Sequence, residues 1–129
     1  MKDAHKTPGP CAALLEEALQ LSIRYPNELI TVWGLDRLCY YASPSAFALE
    51  GYTPQEMMGS HYADIVVPQD LPHLELARSD AELTNESKVT LTVRKKSGEP
   101  FRVTSHSWRR IPPTTGQVFF ISRITAAQS

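Results

Sequence analysis

The side chains best suited to chemistry in this 129-residue chain are two cysteines, Cys11 and Cys39, and four histidines. Two thiols are too few for a disulfide scaffold, and they lack the paired spacing of a zinc site. Both read as small buried apolar side chains. Nowhere do a nucleophile, a base and an orienting group recur together, and no Gly-rich loop opens a helix to cradle phosphate. The expectation is a protein without catalytic activity and without a metal. Arg94, Lys95 and Lys96 form a basic turn, but the strand that carries them lacks the interleaved aromatics on which a single-strand binder stacks bases. No nucleic-acid contact is expected.

Composition supports an ordinary globular unit, with 42% hydrophobic and 21% charged residues. A chain of this length buries roughly 65 to 70% of the surface that it exposes when unfolded. No apolar run reaches the roughly 18 residues of a bilayer span, and residues 1–10 lack the apolar centre of a secretory signal. These features point to a cytoplasmic protein that does not engage membrane. The net charge of −1 hides an asymmetry: residues 1–85 carry five Lys/Arg against twelve Asp/Glu, and residues 86–129 eight against two. Charges facing water on a sheet explain that bias without an acidic partner.

The elements follow from periodicity and punctuation. Cys11, Leu14, Leu15, Ala18, Leu19 and Ser22 recur at helical steps opposite Glu16, Glu17 and Gln20, so an amphipathic helix is expected, ending near Tyr25 before Pro26. Leu29 to Gly34 and Cys39 to Ala42 read as a hairpin. Ser43 is the expected cap of a short helix with Pro44 in its first turn, and Thr53 caps another that begins at Pro54. Asp70 is the expected cap of a longer helix through Leu83. The period then switches to two, giving strands around Val89 to Val93, from Pro100 to Ile111 and from Gln117 to Thr125, with a turn over residues 112–116. The order of elements predicts an α+β domain built on one antiparallel sheet.

Residues 41–59, YASPSAFALEGYTPQEMMG, resemble the middle of a PAS domain. The likeness continues through Val66-Val67-Pro68-Gln69-Asp70 and the turn Arg94-Lys-Lys-Ser-Gly-Glu99, and it covers Leu29 to Thr125. It implies a five-stranded antiparallel sheet with helices on one face and an N-terminal amphipathic helix outside. The implied organisation is a flexible start at residues 1–8, a helix and linker at 9–28, the sensory domain at 29–125, and residues 126–129 opening a linker to an output domain. Three positions depart from the family pattern. Ser43 replaces an Asn, Arg37 stands where the first hairpin has Gly, and Arg123 replaces an Asp in the last strand. Flavin-photocycle relatives carry a Cys on a middle helix, and residues 60–65 contain none. Haem-binding relatives place an axial His on the long helix, where His73 is the candidate. The expectation is no cofactor.

The resemblance also implies a cavity between the sheet and the helices. Alternation and helical step assign Ile30, Val32, Phe47, Met57, Ile65 and Leu74 to it. Val89, Leu91, Val93, Val103, Phe119 and Ile121 complete the apolar wall, and Tyr52, His61 and Ser105 are the polar groups expected to orient a small, largely apolar ligand. The opposite sheet face is assigned Thr104, His106, Trp108, Val118 and Phe120. There Leu14, Leu15, Ala18 and Leu19 would cover Trp108 and Phe120 and pair with a second copy, bringing Glu16 and Glu17 near Arg102 and Arg110. The function implied is a sensory input domain that binds a ligand, dimerises, or both. Its output would be a histidine kinase, a cyclic-dinucleotide enzyme or a transcription regulator. The alternatives are an interaction module with a filled core and a haem sensor.

Overall fold

The structure, a computed structural model, describes residues 10–112 and 116–127. Helix α1 (Ala12–Arg24) precedes the hairpin of β1 (Leu29–Gly34) and β2 (Cys39–Ala42). Short helices α2 (Ser45–Glu50) and α3 (Pro54–Met57) and two single 3-10 turns lead to α4 (Leu71–Thr84). The chain finishes with β3 (Glu86–Arg94), β4 (Pro100–Arg110) and β5 (Phe119–Ala126). The five strands form one sheet in the order β2-β1-β5-β4-β3, every pairing antiparallel. The last strand thus lies beside the first. Most of the expected turn over residues 112–116 lies outside the described residues.

Two hydrophobic clusters sit on opposite sides of this sheet. On the inner side Ala46, Met57, Ile65 and Val66 pack against Leu29, Leu91, Val93 and Val103. On the outer side Leu14 and Ala18 of α1 pack against Ile30, Val32, Phe119 and Ile121. The last four are fully buried, each contributing about 1.5–3 kcal/mol of transfer free energy.

This arrangement reverses part of the sequence-based assignment. Ile30, Val32, Phe119 and Ile121, expected inside, face α1, while Phe120, expected outside, points inward. The cause is that β1 and β5 are covered on both faces. Their sequences, LITVWG and FFISRITA, have no polar side to fix the phase of alternation. On β3 and β4 the outer face meets water, and there the phase is legible: Thr90 pairs with Thr104 outside, Leu91 with Val103 inside.

Local chemistry accounts for the connections. Thr53 and Glu56 close a reciprocal capping box on α3, with Pro54 at its first position. Gly51 ends α2 at φ 84, where a Cβ would also meet Lys96 Cβ at 3.4 Å. Arg37 adopts φ 69, the left-handed region that favours glycine; its side chain clamps Glu75 through Nε and Nη2 at 2.8 and 2.7 Å. Two expected caps have other tasks. Pro44, not Ser43, holds the cap position of α2, and Ser43 Oγ accepts from Ile30 N at 2.9 Å. Asp70 makes no cap bond, its Oδ2 accepting from Thr92 N at 2.7 Å. Each carboxyl or hydroxyl ties a helix entry to a strand instead.

Because Ser43 is buried, Ser43→Ala leaves the Ile30 N–H without its acceptor. We expect a loss of about 1–3 kcal/mol in urea unfolding, larger than the roughly 1 kcal/mol of Thr53→Ala at an exposed cap. A neutral Ser43→Ala would show that the bond is dispensable.

Candidate functional site

The inner sheet face and α2 to α4 leave a cavity of about 70 Å³ between them. Of the residues expected there, Met57, Ile65, Leu74, Val89, Leu91, Val93, Val103 and Ser105 line it. Phe47 does not; it is 64% exposed on α2. Tyr52 is half-buried and packs against the inner cluster from outside the cavity, its hydroxyl donating to Arg94 O at 3.1 Å. His61 caps the following 3-10 turn by accepting from Ala63 N at 3.0 Å. His73 is exposed on α4 and does not reach the cavity.

Several lining groups were not anticipated, and they carry most of the polarity. Ser87, Ser107 and Ser122 occupy directly paired positions on β3, β4 and β5, and Thr31 continues the row onto β1. Ser107 Oγ lies 2.7 Å from Ser122 Oγ and 3.3 Å from Ser105 Oγ. The hydroxyls form one band across the cavity floor. Three adjacent strands each contribute a Ser at the same level, a pattern visible only once the register is known.

Arg78 of α4 lines the same cavity. It is 8% exposed and lies over the Phe120 ring at 4.8 Å and the Tyr62 ring at 5.6 Å. Nη2 donates to Gly34 O at 3.1 Å, whereas Nε and Nη1 are buried without a hydrogen-bond partner among the described residues. Burial, then the nearby Arg37, lowers its pKa, but a guanidinium remains charged at any physiological pH. The neighbouring carboxylate, Glu75, is engaged by Arg37 and Tyr62. Its pKa is lowered first by the Arg37 bond.

Glu50 lines the cavity at the end away from Arg78, where its carbonyl accepts from Lys96 N in the β3–β4 turn at 2.9 Å. The side chain is 2% exposed. Burial pushes its carboxyl up to about 7. Cys39 is buried too, its thiol pushed up to about 12 by burial, which suppresses the reactive thiolate. Among the described residues no cluster of three His, Cys, Asp or Glu could hold a metal.

Solved structures with this architecture share its topology over most of the chain. A PAS domain from Colwellia psychrerythraea superposes with a TM-score of 0.75 at 16% identity, covering 88% of this chain and 97% of that one. The chain has the PAS fold. A PAS domain from a two-component sensor histidine kinase gives 0.71 at 16% identity over 91% of this chain and 100% of that one. The wild-type Drosophila melanogaster Cycle PAS-B domain with bound ethylene glycol gives 0.68 at 17%, over 77% and 99%. No protein-family profile matches the sequence, and no curated protein does. Within this PAS fold the departure at the last strand has a structural role: Arg123 bonds Glu28 at 2.8 and 3.1 Å and lies 3.7 Å over Tyr25. It fastens β5 to the segment that follows α1.

Glu50 gives the fold a pH-dependent stability. Unfolded, the carboxyl titrates near 4.5, and folded near 7. Between those values the native state holds a proton that the unfolded chain has released. The stabilisation is complete below about 4.5 and is lost as pH rises to about 7, amounting to roughly 3 kcal/mol at most. Glu50→Gln should remove this slope, leaving the variant more stable than the parent at about pH 8 when unfolded by urea. Identical pH profiles for the two proteins would exclude Glu50 as the source.

Proposed function

We propose that this chain is a non-catalytic sensory input domain, in which a small molecule held in the inner cavity sets the geometry of a dimer and, through it, of a linked output domain. The observation that carries the reading is the cavity itself, with a buried cation, a band of hydroxyls and the Glu50 carboxyl inside an otherwise apolar wall. Ligand sites have that composition: hydrocarbon for affinity and a few fixed polar groups for orientation. A closed core has no need of Arg78, whose burial is costly unless something accepts its donors. The fold is also that of a domain in a sensor histidine kinase, which makes a kinase, a cyclic-dinucleotide enzyme or a transcription regulator suitable outputs. No cofactor, nucleic-acid or membrane contact is part of this reading. Among the described residues no helix is long and apolar enough to cross a membrane, and a cytoplasmic setting fits.

The dimer reading rests on α1. Leu14 and Ala18 are consumed by the sheet, and Phe120 lies inside, so none of these can meet a second copy. Trp108 is half-buried against the outer cluster. What remains is a stripe at i, i+4, i+8: Leu15, Leu19 at 46% exposure and Ile23 at 66%. Two such stripes packed together would bury apolar surface worth several kcal/mol at about 25 cal/mol per Å², partly offset by the entropy of association.

Two measurements test the proposal. Native mass spectrometry of gently purified protein should show a retained small molecule, and its absence from every preparation would remove the ligand half. Light scattering should report a homodimer that Leu19→Asp converts to a monomer with little change in melting temperature, because Leu19 is half in water already. A monomeric parent chain would remove the dimer half.

A further inference from the structure

The cavity is polarised along the strands. On β5 its inner residues run Phe120, Ser122, Ile124, so one end carries the aromatic ring under Arg78 and the other is hydrocarbon. On β3 the same direction runs from Ser87 through Val89 to Leu91 and Val93, and on β4 from Ser107 through Ser105 to Val103. Across the strands, Ser87, Ser107 and Ser122 form one row, two residues along β5 from the Phe120 ring under Arg78, and Leu91 and Val103 form another row four residues further along β3 and β4. The guanidinium and the serine row thus lie at one end, and Met57, Ile65, Leu91 and Val103 at the other, together with the buried Glu50 carboxyl.

We propose that the cavity takes a short-chain carboxylate, its carboxylate received by Arg78 and the serine row, its hydrocarbon lying against Leu91 and Val103. This rests on the ligand-binding reading above and narrows it. A guanidinium has five N–H donors. One bond, from Nη2, goes to Gly34 O at 3.1 Å, while Nε and Nη1 are buried and without a partner among the described residues. At least one two-pronged edge of the fork therefore remains, and that geometry matches a planar carboxylate. Arg37, Arg110 and Arg123 each meet a carboxylate of this chain through Nε and Nη2. Arg78, the most buried of the four, has no such partner among the described residues.

The serine hydroxyls suit the same head group. Ser107 and Ser122 already share one hydrogen bond, and each hydroxyl rotates to donate or accept as the occupant requires. Size sets the rest of the ligand. A water needs about 10–15 Å³ of such space, so a 70 Å³ cavity admits roughly four to seven heavy atoms. That suits a chain of about two to five carbons.

An isostere panel on the unmodified protein tests this without any variant. Butyrate, butyramide and 1-butanol have nearly the same size and differ in charge and acceptor geometry. Isothermal titration at fixed pH and ionic strength should give the tightest binding to butyrate, with each neutral analogue roughly ten- to a hundredfold weaker. Arg78→Gln should lower butyrate affinity by a similar factor and leave 1-butanol affinity within about threefold. If that variant does not fold, transferred NOEs from the butyrate methyl to Leu91 and Val103 in the parent protein serve instead. The outcomes separate cleanly. Equal binding of all three probes keeps the ligand site but overturns carboxylate selection. No binding of any probe, together with no retained molecule in native mass spectrometry, overturns both the selection and the ligand reading. In that case the Arg78 donors are met by buried water.

Discussion

The pairing of β1 with β5 in the middle of the sheet, six residue pairs from Leu29–Ile124 to Gly34–Phe119, is the constraint from which the rest of the molecule follows. It joins the two ends of the domain, so every intervening element must fold back within reach of one sheet. Both faces of this pair are covered, by α1 on one side and by the inner cluster on the other. A central pair buried on both faces cannot slip in register without burying different side chains on each side. The strands beyond it have a freer outer face, where Thr, Lys and His of β3 and β4 meet water.

The same closure resolves the charge asymmetry of the sequence. The acidic N-terminal part and the basic C-terminal part meet in space: Arg110 with Glu17, Arg123 with Glu28, Arg102 near Asp70, Lys96 with Glu56. Each of these pairs is partly exposed and worth little alone, about 0–1 kcal/mol. Their value is positional. Glu17 lies midway along α1 and Glu28 just beyond its end, so the two arginine forks fix where that helix lies on the outer face. The basic bias that could have suggested a nucleic-acid partner is largely spent within the chain.

Sequence alone located the elements closely: β1 and β2 to the residue, α3 with its Thr53 cap and Pro54 start, and the period change that announces β3. Those signals are local. What failed was the phase of β1 and β5, because apolar side chains on both faces erase the alternation that would mark inside from outside. The error carried directly into the site, exchanging Ile30, Val32, Phe119 and Ile121 for Leu29, Trp33, Phe120 and Ile124. The serine row needed the inter-strand register, which no single strand encodes. Arg78 was missed for another reason. On a helix with a polar composition an arginine reads as a solvated residue, and its burial becomes apparent only when the Tyr62 and Phe120 rings are seen to enclose it. Glu50 was hidden in the same way, as the last residue of a short helix.

Strand β5 is where the two sides of the sheet are mechanically one object. Phe120, Ser122 and Ile124 face the cavity, while Phe119 and Ile121 lie beneath α1 and Arg123 holds the segment after it. Side chains on alternate positions share a backbone, which links what happens on one face to the other. In the proposed reading, an occupant that pulls on Ser122 or presses the Phe120 ring therefore changes the seat of Leu14 and Ala18 on the opposite face. The exposed stripe of Leu15, Leu19 and Ile23 is rigidly part of that same helix, so a change in seat is a change in the orientation of the dimer surface. The energy available for such a shift is bounded by the difference in ligand affinity between the two seats. A buried guanidinium with free donors is well placed to supply that difference, because its unmet hydrogen bonds are costly in whichever seat leaves them empty.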